Sequence, residues 1–388
     1  MRLVLLLLPL LAALAAPAAE PPRGNAAEPP RGNAAEPPRG NAAEPPRGNA
    51  AEPPRGNAAE PPRGNAAEPP LAISAMGSFH VGGREAQVTG RPVREVALVP
   101  GVRPVRIDPN GTYRVEGMYA QYHHPARRQG RVPLLLWHGG GMTGVVWETT
   151  PDGREGWQHY FLRRGWSVYV SDAVERGRAG WAMSPEIFAG EPIFLTTADP
   201  WDRFRIGPGP GSHRTRSALP GSQFPVEAYD QLMAQMVPRW TTTDAAQLAA
   251  YIALLERVGP SVVLAHAQGG LFAVRAAQAR PALVRALVLI EPSGFGDSTP
   301  AALAALRDLP ILAVYGDFID QQPRWTAIRQ RGTDFLALAQ NAGARVEVLD
   351  LPAEDIRGNG HLMMMERNNA AIAARVQGWL VERGFWAE

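Results

Sequence analysis

The run Val262-Val263-Leu264-Ala265-His266-Ala267-Gln268-Gly269-Gly270 has the outline of a strand, a sharp turn and a helix start. In the pattern Gly-x-Ser-x-Gly, such a turn exposes a serine as a nucleophile, and the following backbone N–H helps bind the oxyanion formed from an attacked carbonyl. Here Ala265 stands at the first glycine, Ala267 at the serine and Gly269 at the second glycine. A methyl group cannot attack a carbonyl. The Gln268 amide belongs to the backbone and survives whatever side chain precedes it.

Two further segments carry chemistry. His138-Gly139-Gly140-Gly141 follows the apolar run at residues 132–137. Successive glycines after a strand let N–H groups approach a ligand, so Gly139 and Gly140 are candidate oxyanion donors; a simple tight turn is the alternative. His361, in Arg357-Gly358-Asn359-Gly360-His361, is the only one of the eight histidines beyond the elbow. The chain order elbow, acid, histidine can therefore be completed in one way. Glu291, Asp317 and Asp320 all follow strands and compete to orient that imidazole. Ser293 and Thr143 are nearby hydroxyls that could replace a nucleophile, but neither occupies an elbow.

Placing these groups requires alternating strands and helices, an α/β architecture with a mostly parallel sheet. Strands are expected at residues 93–99, 113–122, 132–137, 166–170, 261–265, 286–290, 311–315 and 346–351. Helices are expected at residues 156–164, 243–258, 270–278, 324–342 and 369–383. Residues 177–240 break the pattern with Gly, Pro, Ser and aromatics, as a cap insertion would. Phe188, Phe194, Trp201, Phe204 and Trp240 could line a pocket there, with Arg203 and Arg205 receiving an anionic group; a small satellite core is the plainer reading.

The first seventy of the 388 residues stand apart from this body. Arg2, the Leu/Ala run at residues 3–16 and Ala16-Pro17-Ala18 read as a secretory signal ending after residue 18, too short for a confident membrane span. From Pro21 to Glu68 the octapeptide Pro-Pro-Arg-Gly-Asn-Ala-Ala-Glu occurs six times. With no large apolar residue it cannot bury a core, so residues 19–70 are expected to form a disordered spacer. Residues 71–388 form the expected folded domain.

Composition narrows the chemistry. There is no Cys, which excludes disulfides and thiolate chemistry, and no Lys, which excludes a Schiff base and a serine–lysine dyad. The net charge of +2 gives no nucleic-acid footprint. His123-His124 lacks metal-binding spacing, and Gly207-Pro208-Gly209-Pro210-Gly211 does not follow a strand as a phosphate loop should. No cofactor or metal is expected, and the expected ligand is a small ester or related molecule. Oligomeric state is not read from the sequence.

The body resembles the bacterial esterase 713-like branch of the α/β-hydrolase superfamily across most of residues 77–388. The resemblance rests on Gly77-Ser78-Phe79 with Val81-Gly82-Gly83, His138-Gly139-Gly140-Gly141-Met142-Thr143, and Trp147-Glu148-Thr149-Thr150-Pro151-Asp152-Gly153-Arg154. It also rests on Gly156-Trp157, residues 161–169, Arg176-Gly177-Arg178 and Gly358-Asn359-Gly360-His361-Leu362-Met363-Met364-Met365. It implies carboxylic-ester hydrolysis, with Glu291 as the acid and His361 as the base. The family elbow reads His-Ser-Gln-Ser-Gly against His266-Ala267-Gln268-Gly269-Gly270, so the implication stops at the nucleophile. Three readings of Ala267 follow: a substitution that traps substrate, an inactive ligand-binding paralogue, or catalysis by His361 and Glu291 without an acyl-enzyme. The retained leader and spacer argue against the first.

Overall fold

The computed structural model describes residues 69–387. The expected secretory leader and all six complete octapeptides lie outside the described residues. Among the described residues, ten strands occur in chain order: β1 (Ile73–Val88), β2 (Arg94–Val96), β3 (Val105–Ile107), β4 (Gly111–Pro125), β5 (Leu134–Trp137), β6 (Val168–Asp172), β7 (Ser261–His266), β8 (Val284–Ile290), β9 (Pro310–Tyr315) and β10 (Arg345–Asp350). Eight of them form one sheet in the order β1-β4-β6-β5-β7-β8-β9-β10. β1 pairs antiparallel with β4 and β4 with β6, while every pair from β6 to β10 is parallel.

The central strands are apolar on both faces because both are covered. β5 and β7 are buried along their whole length, as expected of parallel strands between two helical layers. One core gathers Leu134, Val170, Leu264, Val288 and Trp157. The other gathers Leu135, Val263, Leu287, Tyr251 and Phe272. Successive residues of one strand thus feed opposite cores, the two-residue period of a pleated sheet.

The expected strands and helices from residue 111 onward appear with ends moved by a few residues. The N-terminal part differs. Residues 93–99 do not join the main sheet; Arg94–Val96 pairs instead with Val105–Ile107 in a separate two-stranded sheet. The outer strand beside β4 is the sixteen-residue β1, for which no strand was expected. Its half-exposed, glycine-bearing sequence carries no apolar run. At Gly77 the glycine has a packing reason, since a Cβ there would lie 2.6 Å from the Tyr122 hydroxyl.

Residues 177–240 contain only short helical pieces, Asp199–Arg203, Ser212–Thr215 and Tyr229–Ala234 among them. Among the described residues, no helix is long and apolar enough to cross a membrane. The loops after β5, β7, β8 and β9 leave the same edge of the sheet, where open α/β sheets bind ligands.

Candidate active site

Ala267 follows β7 directly with φ 48° and ψ −115°, a left-handed setting that costs of order 1–3 kcal/mol for a non-glycine residue. The surrounding chain holds it there. Its N–H donates to the Ile290 carbonyl at 3.0 Å, and its own carbonyl accepts from Gly270 N–H at 3.1 Å and Ser293 N–H at 3.2 Å. The elbow is therefore fixed by β8 and the helix Gln268–Ala279, independently of any hydroxyl on residue 267. Gly269 permits the close approach: a Cβ there would lie 2.8 Å from the His138 carbonyl oxygen and 3.0 Å from that of Trp137.

Glu291 ends β8 in a matching strained setting, φ 46°. Its Oε1 accepts from Gly316 N–H at 2.6 Å and from Arg205 Nη2 at 2.8 Å. Its Oε2 faces His361 Nδ1 at 3.4 Å, a loose contact of the kind that catalytic pairs often show before a ligand is seated. Burial alone would raise this carboxyl, but the Arg205 guanidinium, with the His361 contact, overcomes it and holds the group at about 2. Burial lowers His361, partly offset by Glu291 and reinforced by the Arg205 and Arg324 charges. An ionised acid thus faces an imidazole biased toward its neutral form, the state in which histidine can take a proton.

Rings and backbone contacts fix the plane of that imidazole. His361 packs against Trp325 at 4.3 Å, His266 at 4.5 Å and Phe204 at 5.2 Å between ring centroids. Its N–H donates to the Phe204 carbonyl, and its carbonyl accepts from His266 Nε2–H at 2.9 Å. Behind it, the buried Glu366 carboxylate accepts from Asn359 Nδ2 at 2.6 Å and Gly360 N–H at 2.7 Å, tying down the loop that carries His361.

His138 fixes the glycine loop. Ala173 N–H donates to His138 Nε2 at 3.0 Å, so the proton sits on Nδ1, which donates to the Gly139 carbonyl at 2.8 Å. Burial and the Arg176 charge push this ring down to about 4, keeping it neutral. Because a trans peptide points its C=O and N–H in opposite directions, the same bond turns the Gly140 N–H away from His138. The Gln268 N–H belongs to the first helical turn and has no intrahelical acceptor. A Cβ on Gly139 would come within 3.0 Å of the Ala267 Cβ and 2.8 Å of His266 Nδ1, so glycine lets the loop and the elbow touch.

A cavity of about 140 Å³ brings Gly140, Ala267, Gln268, Ser293 and His361 together. Gly139 stays behind it. Thr143 is committed elsewhere, its hydroxyl accepting from Val145 N–H. Asp317 accepts from Phe318 N–H and Gly358 N–H and so shapes the histidine loop, leaving Glu291 as the carboxylate at Nδ1. Asp320 lies in the short turn Ile319–Gln321. Of the aromatics expected in a pocket, Phe204 lines this one; Phe188 packs at a tilt against Trp240, Trp201 packs on Tyr229, and Phe194 is exposed.

Arg205 does not take the ligand-receiving position expected from the sequence. It is fully buried, pairs with Glu291 and donates through Nε to the Asp317 carbonyl, so it supports the acid and does not receive a ligand. Ile193, Leu195, Arg239, Arg324 and Trp325 also line the cavity and were not expected from the sequence. They come from three separate segments, none of which carries a motif.

A mostly parallel eight-stranded sheet with a strained elbow, a glycine loop and an acid–histidine pair at its strand ends defines an α/β hydrolase. The chain is 33% identical to a structure described as a novel bacterial esterase, covering 82% of this chain and 98% of that one with a TM-score of 0.70. It is also 27% identical over 334 residues to a probable secreted lipase, phiG, of a Fungal sp. (strain ATCC 74256), covering 70% of this chain and 87% of the lipase. No family profile matches. The chain belongs to the α/β-hydrolase superfamily, in the family of that bacterial esterase.

Proposed function

We propose that this protein is an exported ester-binding member of the family, which seats the carbonyl of a small ester between the Gly140 and Gln268 amides and forms no acyl-enzyme. The observation that carries this reading is the Ala267 methyl group at the strained elbow position, on the wall of the cavity shared by Gly140, Gln268 and His361. In a serine protease, loss of the nucleophilic serine costs about 2 × 10⁶ in kcat and leaves roughly 10³ to 10⁴ over water from binding and the oxyanion site. The expected result with ethyl butyrate is saturable binding by calorimetry and no acyl increment in intact-protein mass. A covalent acyl adduct on the unmodified protein would refute this reading.

The bias of His361 toward its neutral form beside ionised Glu291 favours a second reading, in which His361 activates a water against the bound ester. Slow ester hydrolysis should then fall at least about 100-fold in His361→Ala, and an unchanged rate would exclude the route. Export is supported by the leader around Ala16-Pro17-Ala18 and by the description of one relative as secreted. Mature protein recovered outside the cytoplasm should begin at Ala19.

A further inference from the structure

The buried cations at the base of the site have carboxylate partners. Arg205 is matched to Glu291 and Arg176 to Glu175, each pair withdrawn from solvent. The cavity above Ala267 presents the opposite situation. Arg203, Arg239 and Arg324 all line it, and among the described residues no Asp or Glu does. Arg239 donates through Nη1 to the neutral Gln268 Oε1 at 2.8 Å. The same Nη1 would lie 3.0 Å from a Cβ placed on Gly140, which puts this guanidinium against the glycine loop. Arg203 reaches Asp199 only at 4.0 Å, with 39% and 41% of the two side chains exposed, so the pair neutralises little. Arg324 stands exposed at the start of the helix Pro323–Asn341. Partial covering of its guanidinium, together with the Arg203 and Arg239 charges, holds that group below its ordinary value although the residue as a whole is exposed.

We propose that this cavity selects a small ester that carries its own carboxylate, with the ester carbonyl toward Gly140 and Gln268 and the carboxylate among Arg203, Arg239 and Arg324. A carboxylate accepts paired N–H bonds from a guanidinium, and these charge-assisted bonds are stronger than neutral ones. It would also relieve repulsion among three like charges around a small space, an interaction strengthened where water is displaced. About 140 Å³ is small for a ligand pocket, which favours a compact molecule with a few carbons between its two carbonyl groups. The proposal rests on the ester-binding reading above and adds the charge of the ligand.

The test compares two probes of nearly the same shape, monomethyl succinate and the uncharged keto ester methyl levulinate, by calorimetry at low ionic strength. Monomethyl succinate should bind at least about tenfold more tightly. That preference should shrink with added salt and largely disappear in Arg324→Gln and in Arg239→Gln, with melting temperatures confirming that each variant folds. Arg345→Gln, at a side chain 68% exposed and paired with Asp308, serves as a control and should keep the preference. Equal affinity for the two probes would overturn the carboxylate proposal while leaving ester binding intact. A preference unmoved by either pocket substitution would also overturn it. If succinate binds with the same arginine dependence and neither ester binds, the arginine site survives and the ester reading fails.

Discussion

The elbow at Ala267 and the corner formed by Glu291 and His361 are built to the same standard and end in opposite chemical states. Both use a residue at positive φ, both tie it to a neighbouring strand through backbone bonds, and both open onto one cavity. The corner carries an ionised acid and an imidazole biased toward neutrality. The elbow carries a methyl group. Preorganisation here resides in the scaffold: the backbone that would present a nucleophile needs none in order to keep its shape.

The largest expected effect lies at the corner. If Ala267→Ser completes the site, adding His361→Ala to that protein should remove the gained turnover by about 10⁶, measured as kcat on a short-chain aryl ester. A loss under tenfold would show that the corner is not the base.

Arg205→Met comes next, because it leaves the buried Glu291 carboxylate without its cation. It should destabilise the protein by about 3–5 kcal/mol in urea unfolding. A smaller effect is expected at the loop that faces the elbow. His138→Leu frees the Gly139–Gly140 peptide and should lower kcat of the Ala267→Ser protein by about 10²-fold with KM little changed, the mark of a donor used in the transition state.

The remaining effects are those of pH. Glu291 is depressed to about 2, so the stability it contributes is complete above its ordinary value of 4.5 and is lost as pH falls from there through about 2. His361 is depressed as well, so its protonation opposes folding as pH falls below its ordinary value of 6.5. Burial raises the neighbouring Glu366 to about 7, so its protonation adds stability as pH falls from about 7 to 4.5 and opposes the His361 contribution there. Unfolding free energy followed from pH 7 to pH 2 should therefore decline most clearly below 4.5, where Glu291→Gln should flatten the curve. The acidic limb of kcat/KM in the Ala267→Ser protein should have its midpoint below 6.5.

Most parts of this site that could be read from the sequence share one property, a fixed place relative to a strand end. Ala267, Gln268, Gly140 and Glu291 each sit just beyond a run of buried strand residues, whereas His361 follows the half-exposed β10 at some distance and was picked out because chain order left one histidine. Side-chain partners across segments were not legible in the same way. Arg205 was singled out as a cation, but its partner Glu291 lies 86 residues away, and only the fold shows that the pair is buried. Arg239 and Arg324 have no motif and become neighbours only when the chain around residues 190–240 and the start of the helix Pro323–Asn341 meet over the elbow. β1 escaped for a different reason: half-exposed and interrupted by glycines, it announces itself through pairing with β4.

The most direct test of the central claim is rapid mixing of the unmodified protein and of Ala267→Ser with p-nitrophenyl acetate, coupled to intact-mass analysis. The serine variant should give a stoichiometric burst of nitrophenol and an acetyl increment on residue 267, with neither in the unmodified protein. A burst from the unmodified protein, or a folded serine variant that binds the ester and never acylates, would contradict that claim.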